Sequence, residues 1–230
     1  MKKTILIVED DDSIVYILKT LLSENGYKVI VAQKGLDAIY KVAEADMIIL
    51  DLGLPDIDGQ KVLKSLRKST QKPVIVLSAR HGEDGKVKAF ENGADDYVTK
   101  PFNPLELVAR VKSQLRRYTT LSNNDEDKDT IYEAGGLVIN DDLKKVMVDG
   151  EEVRLTPIEY NILLLLMKNK GKVYSINQIY ESIWNEEAIG ADNTVAVHIR
   201  HIREKIEINP KDPRYLKVVW GVGYKIEESR

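Results

Sequence analysis

The chain has 230 residues, 43% of them hydrophobic and 31% charged, a balance that excludes a disordered chain and leaves room for two ordinary domains. It contains no cysteine, which excludes a disulfide scaffold, a thiolate zinc site and a cysteine nucleophile. With 34 Lys and Arg against 37 Asp and Glu the net charge is −3, so contact with nucleic acid has to come from a local patch.

In chain order, MKKTILIV puts two lysines ahead of an apolar run that stops at Glu9. A secretory core needs ~7–15 apolar residues and a membrane helix ~20. No such stretch occurs, so a soluble cytoplasmic protein without membrane contact is expected. From residue 4 to 118 short β-rich runs alternate with helical patterns. The runs Thr4–Val8, Lys28–Ala32, Met47–Asp51, Pro73–Ser78 and Asp96–Thr99 include TILIV, MIIL and VIVL, apolar on both faces as in buried parallel strands. Helices are expected near 13–25, 36–45, 60–67, 84–92 and 104–118. The last opens on Asn103, Pro104 and Glu106, read as a capping box with proline at the first helical position. Strict alternation predicts an α/β sandwich around a five-stranded parallel sheet.

Residues 119–134 are polar, acidic and aperiodic, and read as a linker. From Gly135 the pattern changes. LVIN, KVMV and EEVRL, with an Asp149-Gly150 turn, predict a small antiparallel sheet. Thr156-Pro157-x-Glu159 and Ser175-x-x-Gln178 each cap a helix. A third helix is expected from Asp192 to Ile208, and Tyr215–Val219 and Tyr224–Glu227 form a closing hairpin around Gly221-Val222-Gly223. Three helices plus that hairpin predict a winged helix-turn-helix, an α+β domain.

Ligands of open α/β sheets bind beyond the carboxyl ends of the strands. Those ends carry Glu9-Asp10-Asp11-Asp12, Asp51, Ser78 and Lys100-Pro101. Carboxylates crowded at ~4 Å repel by roughly 1–4 kcal/mol per pair and attract a cation, and oxygen ligands suit Mg²⁺. A carboxylate can also attack phosphorus, and Lys100 and the Ser78 hydroxyl can take phosphoryl oxygens. Taken singly these residues have plainer readings: Asp11 and Asp12 as dipole partners of a first helical turn, Asp51 as a cap, Lys100 as a surface lysine. Their joint placement at successive strand ends carries the case.

ILIVEDD, LDLGLPDIDG, VIVLSAR and GADDYVTKPF resemble the motifs of a CheY-like receiver domain of bacterial response regulators, across residues 2–118. The resemblance implies a doubly wound, flavodoxin-like sheet with Asp51 as phosphoacceptor. It implies Mg²⁺ held by Glu9, Asp10, Asp51 and the backbone carbonyl of Gly53, with Lys100 on the phosphoryl group, a cis Lys100–Pro101 bond, and Ser78 and Tyr97 as switch residues. Gly53 departs from the methionine common there. The resemblance also implies a dimer face on which Lys86 meets Glu106, Glu91 meets Lys112 and Asp96 meets Arg110 of a second copy, around Val87, Phe90 and Val108. An ordinary solvated helix surface is the plainer reading of the same charges.

In ADNTVAVHIRHIREKI, Val195, Ile199, Ile202 and Ile206 form a buried stripe, and Asn193, Thr194, His198, Arg200, His201, Arg203 and Lys205 the opposite face. NTVAVHIRHIREKI followed by VVWGVGYKI resembles the winged-helix effector of the OmpR/PhoB subfamily over 135–227, and the WGVGYK ending is similar to VanR-type regulators. This implies DNA contacts from Asn193, Thr194, Val197, His198, Arg200, His201 and Arg203, with Lys225 on the wing, where some members have Arg in place of Trp220. The expected partners are a sensor histidine kinase, double-stranded promoter DNA in tandem half-sites, RNA polymerase and, once phosphorylated, a second copy. Domains are expected at 1–118 and 135–230. Two other readings stand beside this one. A constitutive DNA-binding protein with a vestigial receiver is the first. A haloacid-dehalogenase-type phosphotransferase is the second, and Gly53, where that family needs a carboxylate, counts against it. The chain is therefore expected not to be a turnover enzyme, acting only in its own phosphorylation and slow dephosphorylation.

Overall fold

A computed structural model of the chain describes residues 2–79, 83–120, 131–184 and 192–227. The chain divides into two compact units, Met1–Arg116 and Arg117–Arg230. No helix among the described residues is long and apolar enough to cross a membrane.

The first unit alternates strands β1 (Thr4–Val8), β2 (Lys28–Ala32), β3 (Met47–Asp51), β4 (Val74–Ser78) and β5 (Asp96–Thr99) with helices α1 (Asp12–Glu24), α2 (Gly35–Lys41), α3 (Gly59–Ser69), α4 (Glu83–Glu91) and α5 (Pro104–Thr120). All five strands are parallel, in the order β2-β1-β3-β4-β5. Strands β3 and β4 are buried at every position, which is why their sequences are apolar without alternation. One core layer joins Ile5, Ile7, Ile49, Ile75 and Leu77 of the sheet to Leu18 and Leu22 of α1 and Leu107 and Val111 of α5. Arg67 of α3 ties the opposite edge: its guanidinium reaches Asp95 at 2.5 Å and donates to the carbonyls of Gly93 and Lys72. Helix α2 is shorter than expected and passes into a 3₁₀ turn over Val42–Glu44. At α5 the expected capping box is half made: Asn103 accepts from Leu105 N–H, but Glu106 turns to Arg110.

The second unit holds a four-stranded antiparallel sheet, β6 (Ile131–Ala134), β7 (Leu137–Asn140), β8 (Lys145–Val148) and β9 (Glu151–Val153), in chain order. Asp149 and Gly150 both have positive φ, the mirror-image turn that Asp-Gly favours between strands. Helices α6 (Pro157–Lys168), α7 (Ile176–Trp184) and α8 (Asp192–Ile206) follow, then the hairpin β10 (Leu216–Val219) and β11 (Gly223–Ile226). Both predicted capping boxes form, Thr156 with Glu159 and Ser175 with Gln178. The stripe Val195, Ile199, Ile202 and Ile206 is buried against α6 and α7 as expected. Helix α8 stops two residues short of the predicted Ile208, which is exposed. The predicted linker needs correcting at both edges: Thr119 and Thr120 belong to α5, and Ile131–Ala134 pairs with β7. Its residues 121–130 lie outside the described ones.

The hairpin is tied to the helices by polar groups. The Glu207 carboxylate accepts the backbone N–H groups of Arg214, Tyr215 and Leu216. The backbones of Tyr174 and Tyr224 exchange hydrogen bonds, and a Cβ at Gly223 would collide with the Tyr174 carbonyl.

Candidate functional site

Parallel pairing aligns Val8 with Leu50, Asp51 with Leu77 and Ser78 with Thr99, so the carboxyl ends of β1, β3, β4 and β5 finish level. Backbone bonds extend the ladder one residue further: Glu9 N–H donates to Ala32, Leu52 N–H to Leu77 and Lys100 N–H to Ser78. Glu9, Asp51, Ser78 and Lys100 are thus carried on rigid backbone to one rim. At Gly59 a Cβ would stand 2.5 Å from Leu52 Cα and 2.7 Å from the Asp51 carbonyl oxygen, so the turn back into α3 requires glycine there.

Lys100 Nζ lies 2.7 Å from Glu9 Oε2 and 3.0 Å from Asp51 Oδ2. Glu9 is 1% exposed and Asp51 6%, while Asp10 is exposed. Burial raises the Glu9 pKa, and the negative charge of Asp51 adds to the rise against the opposing ammonium. Burial alone would depress Lys100, yet its bonds to the two carboxylates raise it overall. The ligand oxygens of Glu9, Asp10 and Asp51 fall within 4.8 Å of one another. Three oxygens, two of them buried and sharing one ammonium, suit a hard divalent cation. At Gly53 a Cβ would stand 3.3 Å from Asp51 Oδ2, so the glycine keeps that approach open. Ser78 and Tyr97 are both buried, and the Lys100–Pro101 bond is cis. Asp11 takes its plainer reading: its carboxylate caps α1, accepting from Ser13 and Ile14 N–H.

The α4–β5–α5 residues are placed differently from the dimer expectation. Arg110 lies 3.1 Å from Asp96 and 2.9 Å from Glu106 of its own chain, so Asp96 and Arg110 pair within one copy. Phe90 is 1% and Val108 7% exposed, which removes both from a contact surface. Lys86 and Val87 remain half-buried, with the Lys86 ammonium 6.0 Å above the Phe90 ring, and Glu91, Glu106 and Lys112 are exposed. Leu105, beside Glu106, is an exposed apolar residue that the pattern did not single out. Its proline-led first turn gave no sign of which side would face out.

On α8 the expected DNA-contact set separates. Asn193 and Arg200 are exposed, and Arg200 stands 3.6 Å from Glu204. Thr194, Val197 and His198 are buried, with the His198 ring 5.7 Å from Trp184. These three are corrections: the apolar side of α8 is wider than a four-residue stripe, because α7 supplies aromatic partners that α8's own sequence does not reveal. His201 is mostly buried, 3.8 Å from Glu159, which also holds Lys205. Arg203 donates from Nε and Nη2 to the Leu216 carbonyl, so it fastens the hairpin to α8 instead of facing out. Lys225 pairs with Glu227. Trp220, unassigned by the sequence pattern, is 88% exposed at the hairpin turn.

Two family models match the chain: "Response regulator receiver domain" over residues 5–112 and "Transcriptional regulatory protein, C terminal" over 150–226. Among curated relatives, regulatory protein VanRc of Enterococcus gallinarum is 43% identical over 232 residues, covering 99% of this chain and all of that protein. The alkaline phosphatase synthesis transcriptional regulatory protein PhoP of Bacillus subtilis is 41% identical, covering 100% of this chain and 99% of its own. Among solved structures, DrrB, an OmpR/PhoB homolog of Thermotoga maritima, is 33% identical with a TM-score of 0.52, covering 99% of this chain and all of its own.

Proposed function

This chain belongs to the two-component response regulators of the OmpR/PhoB type, with a receiver unit and a DNA-binding transcriptional regulatory unit, and we propose that a phosphoryl group on Asp51 is its switch. The observation that carries the proposal is the shared ammonium: Lys100 stands between Glu9 and Asp51 at the level strand ends. A sensor histidine kinase is the proposed donor. One Asp51 carboxylate oxygen bonds to phosphorus as the donor's phosphorus bond breaks, and the donor leaves with that electron pair. Lys100 then moves its charge onto a phosphoryl oxygen, and the Ser78 hydroxyl donates to another. Glu9, Asp10, Asp51 and the Gly53 carbonyl would hold Mg²⁺, which supplies neutralisation of the phosphoryl charge. The same groups later admit water for slow dephosphorylation, so the chain turns over no other substrate. Gly53, where a phosphotransferase would place a second carboxylate, supports that restriction.

The readout follows from charge. Phosphorylation adds about −1.5 to −2 charges beside buried Ser78 and Tyr97, whose repacking alters the α4–β5–α5 face. Lys86 with Glu106 and Glu91 with Lys112 then pair between two copies around Val87, each exposed pair worth only ~0.2–1 kcal/mol and serving to orient. Dimers place two winged units on tandem half-sites of promoter DNA, with Asn193 and Arg200 facing the duplex and RNA polymerase recruited beside them. Sedimentation of the full chain with beryllofluoride and Mg²⁺ tests this reading. Wild type should shift toward dimer and Asp51→Ala should not; wild type that stays monomeric overturns it.

A further inference from the structure

Between Asp51 and α3 the chain runs through a short loop, Leu52 to Asp58, that carries Gly53, whose carbonyl is the backbone ligand in the reading above. Both ends of the loop are fixed. Leu52 N–H donates to the Leu77 carbonyl at 3.2 Å, and Gly59 N–H returns to the Leu52 carbonyl at 3.3 Å. Asp58 caps α3, accepting from Gln60 N–H at 2.9 Å. The middle has less to hold it: Gly53, Pro55 and Asp56 are exposed, and Ile57 is half-buried.

Its anchor comes from α2. The Asp56 carboxylate accepts Gly35 N–H at 3.0 Å on Oδ1 and Leu36 N–H at 3.2 Å on Oδ2. These are the first two N–H groups of the helix, which find no partner within it. Lys34, at the N-cap position of α2, supplies no side-chain bond to them. A cap is ordinarily supplied by the residue just ahead of a helix, and here it arrives from 20 and 21 residues away. Packing repeats the link. A Cβ at Gly35 would stand 2.5 Å from Ile57 Cγ2 and from Val62 Cγ2, and 3.2 Å from Leu54 Cδ1, so glycine is what lets α2 lie against the loop. On the loop's other side, Gly53 sits against the Asp51 carboxylate, a Cβ there standing 3.3 Å from Oδ2. One loop thus meets the acidic pocket at Gly53 and α2 at Asp56.

We propose that Asp56 is a positioning residue for the divalent cation: by pinning the loop to α2 it keeps the Gly53 backbone beside Asp51. The inference rests on the Mg²⁺ reading of the pocket and adds which residue holds the backbone ligand in place. Asp56 acts through its two hydrogen bonds and not through its charge. A ligand fixed in advance needs less ordering when the cation binds, which raises affinity. Coupling of this kind is reciprocal, so the cation must in turn tighten the tie between loop and helix.

Calorimetric Mg²⁺ titration of the full chain, with amide exchange read by NMR at Gly35 and Leu36, tests the inference. Asp56→Ala should bind Mg²⁺ about fivefold more weakly, the low end of the range for coupled sites. Asp56→Asn keeps an acceptor without the charge and should stay near wild type. Lys34→Ser combined with Asp56→Ala gives α2 a cap of its own, and should restore the urea midpoint while Mg²⁺ binding stays weak. In wild type Mg²⁺ should slow exchange at Gly35 and Leu36, and in Asp56→Ala it should not. Equal weakening in Asp56→Asn and Asp56→Ala would make Asp56 a remote charge and overturn the inference. Recovery of Mg²⁺ binding in the double variant would make it a helix cap alone, and wild-type exchange indifferent to Mg²⁺ would remove the coupling; either overturns it as well. Wild type that binds no Mg²⁺ overturns the reading of the pocket itself.

Discussion

Glu9 and Asp51 share a single ammonium, and that imbalance has a measurable cost. Burial and the charge of Asp51 both push the Glu9 carboxyl up, so the pocket without a divalent cation holds more negative charge than Lys100 balances. Replacing Asp51 by Asn keeps an acceptor for Lys100 and removes one repelling charge. In EDTA, Asp51→Asn should raise the urea midpoint, with a gain of about 1 kcal/mol in unfolding free energy, and added Mg²⁺, which should stabilise wild type, should do little for the variant. A lower midpoint for Asp51→Asn would mean that the carboxylate stabilises the fold instead of serving chemistry. At this scale the pocket was legible because each member is the last residue of a predicted strand or lies within two residues beyond its end. Phe90, Val108 and His198 were not legible, since the inner side of each helix is set by partners far away in the chain.

Among the elements, α8 combines an exposed edge, with Asn193 and Arg200, and a buried polar one. Burial pushes the His201 imidazole below its ordinary value of about 6.5, Arg200 and Lys205 push it the same way, and Glu159 and Glu204 oppose them. With the folded-state pKa below the unfolded one, the unfolded chain binds more protons between the two values. Stability is therefore full above about pH 6.5 and is lost as pH falls toward the folded-state value. Urea unfolding by circular dichroism at successive pH values should show that decline, and His201→Gln should flatten it; an unchanged slope in the variant would place the titration elsewhere. The four-residue stripe of α8 was readable as periodicity, whereas the bond from Arg203 to a carbonyl 13 residues away was not. Strand β6 escaped notice for a similar reason: IYEA offers one alternation after an acidic run, and its strand character comes from pairing with β7.

Over the whole molecule the break in sequence pattern and the division into two compact units agree in kind. Alternation of strand and helix makes the first unit's parallel sheet, and short alternating runs make the second unit's antiparallel one. A net charge of −3 leaves the chain no general attraction for DNA, so the proposed dimer on two half-sites would draw its affinity from two contacts made at once. Everything in that scheme begins with the covalent event at Asp51. The most direct measurement is intact mass after incubation with acetyl phosphate and Mg²⁺. Wild type should gain one phosphoryl group and lose it slowly, and Asp51→Ala should gain none. Wild type that stays unmodified, or a variant that is labelled equally, contradicts the account.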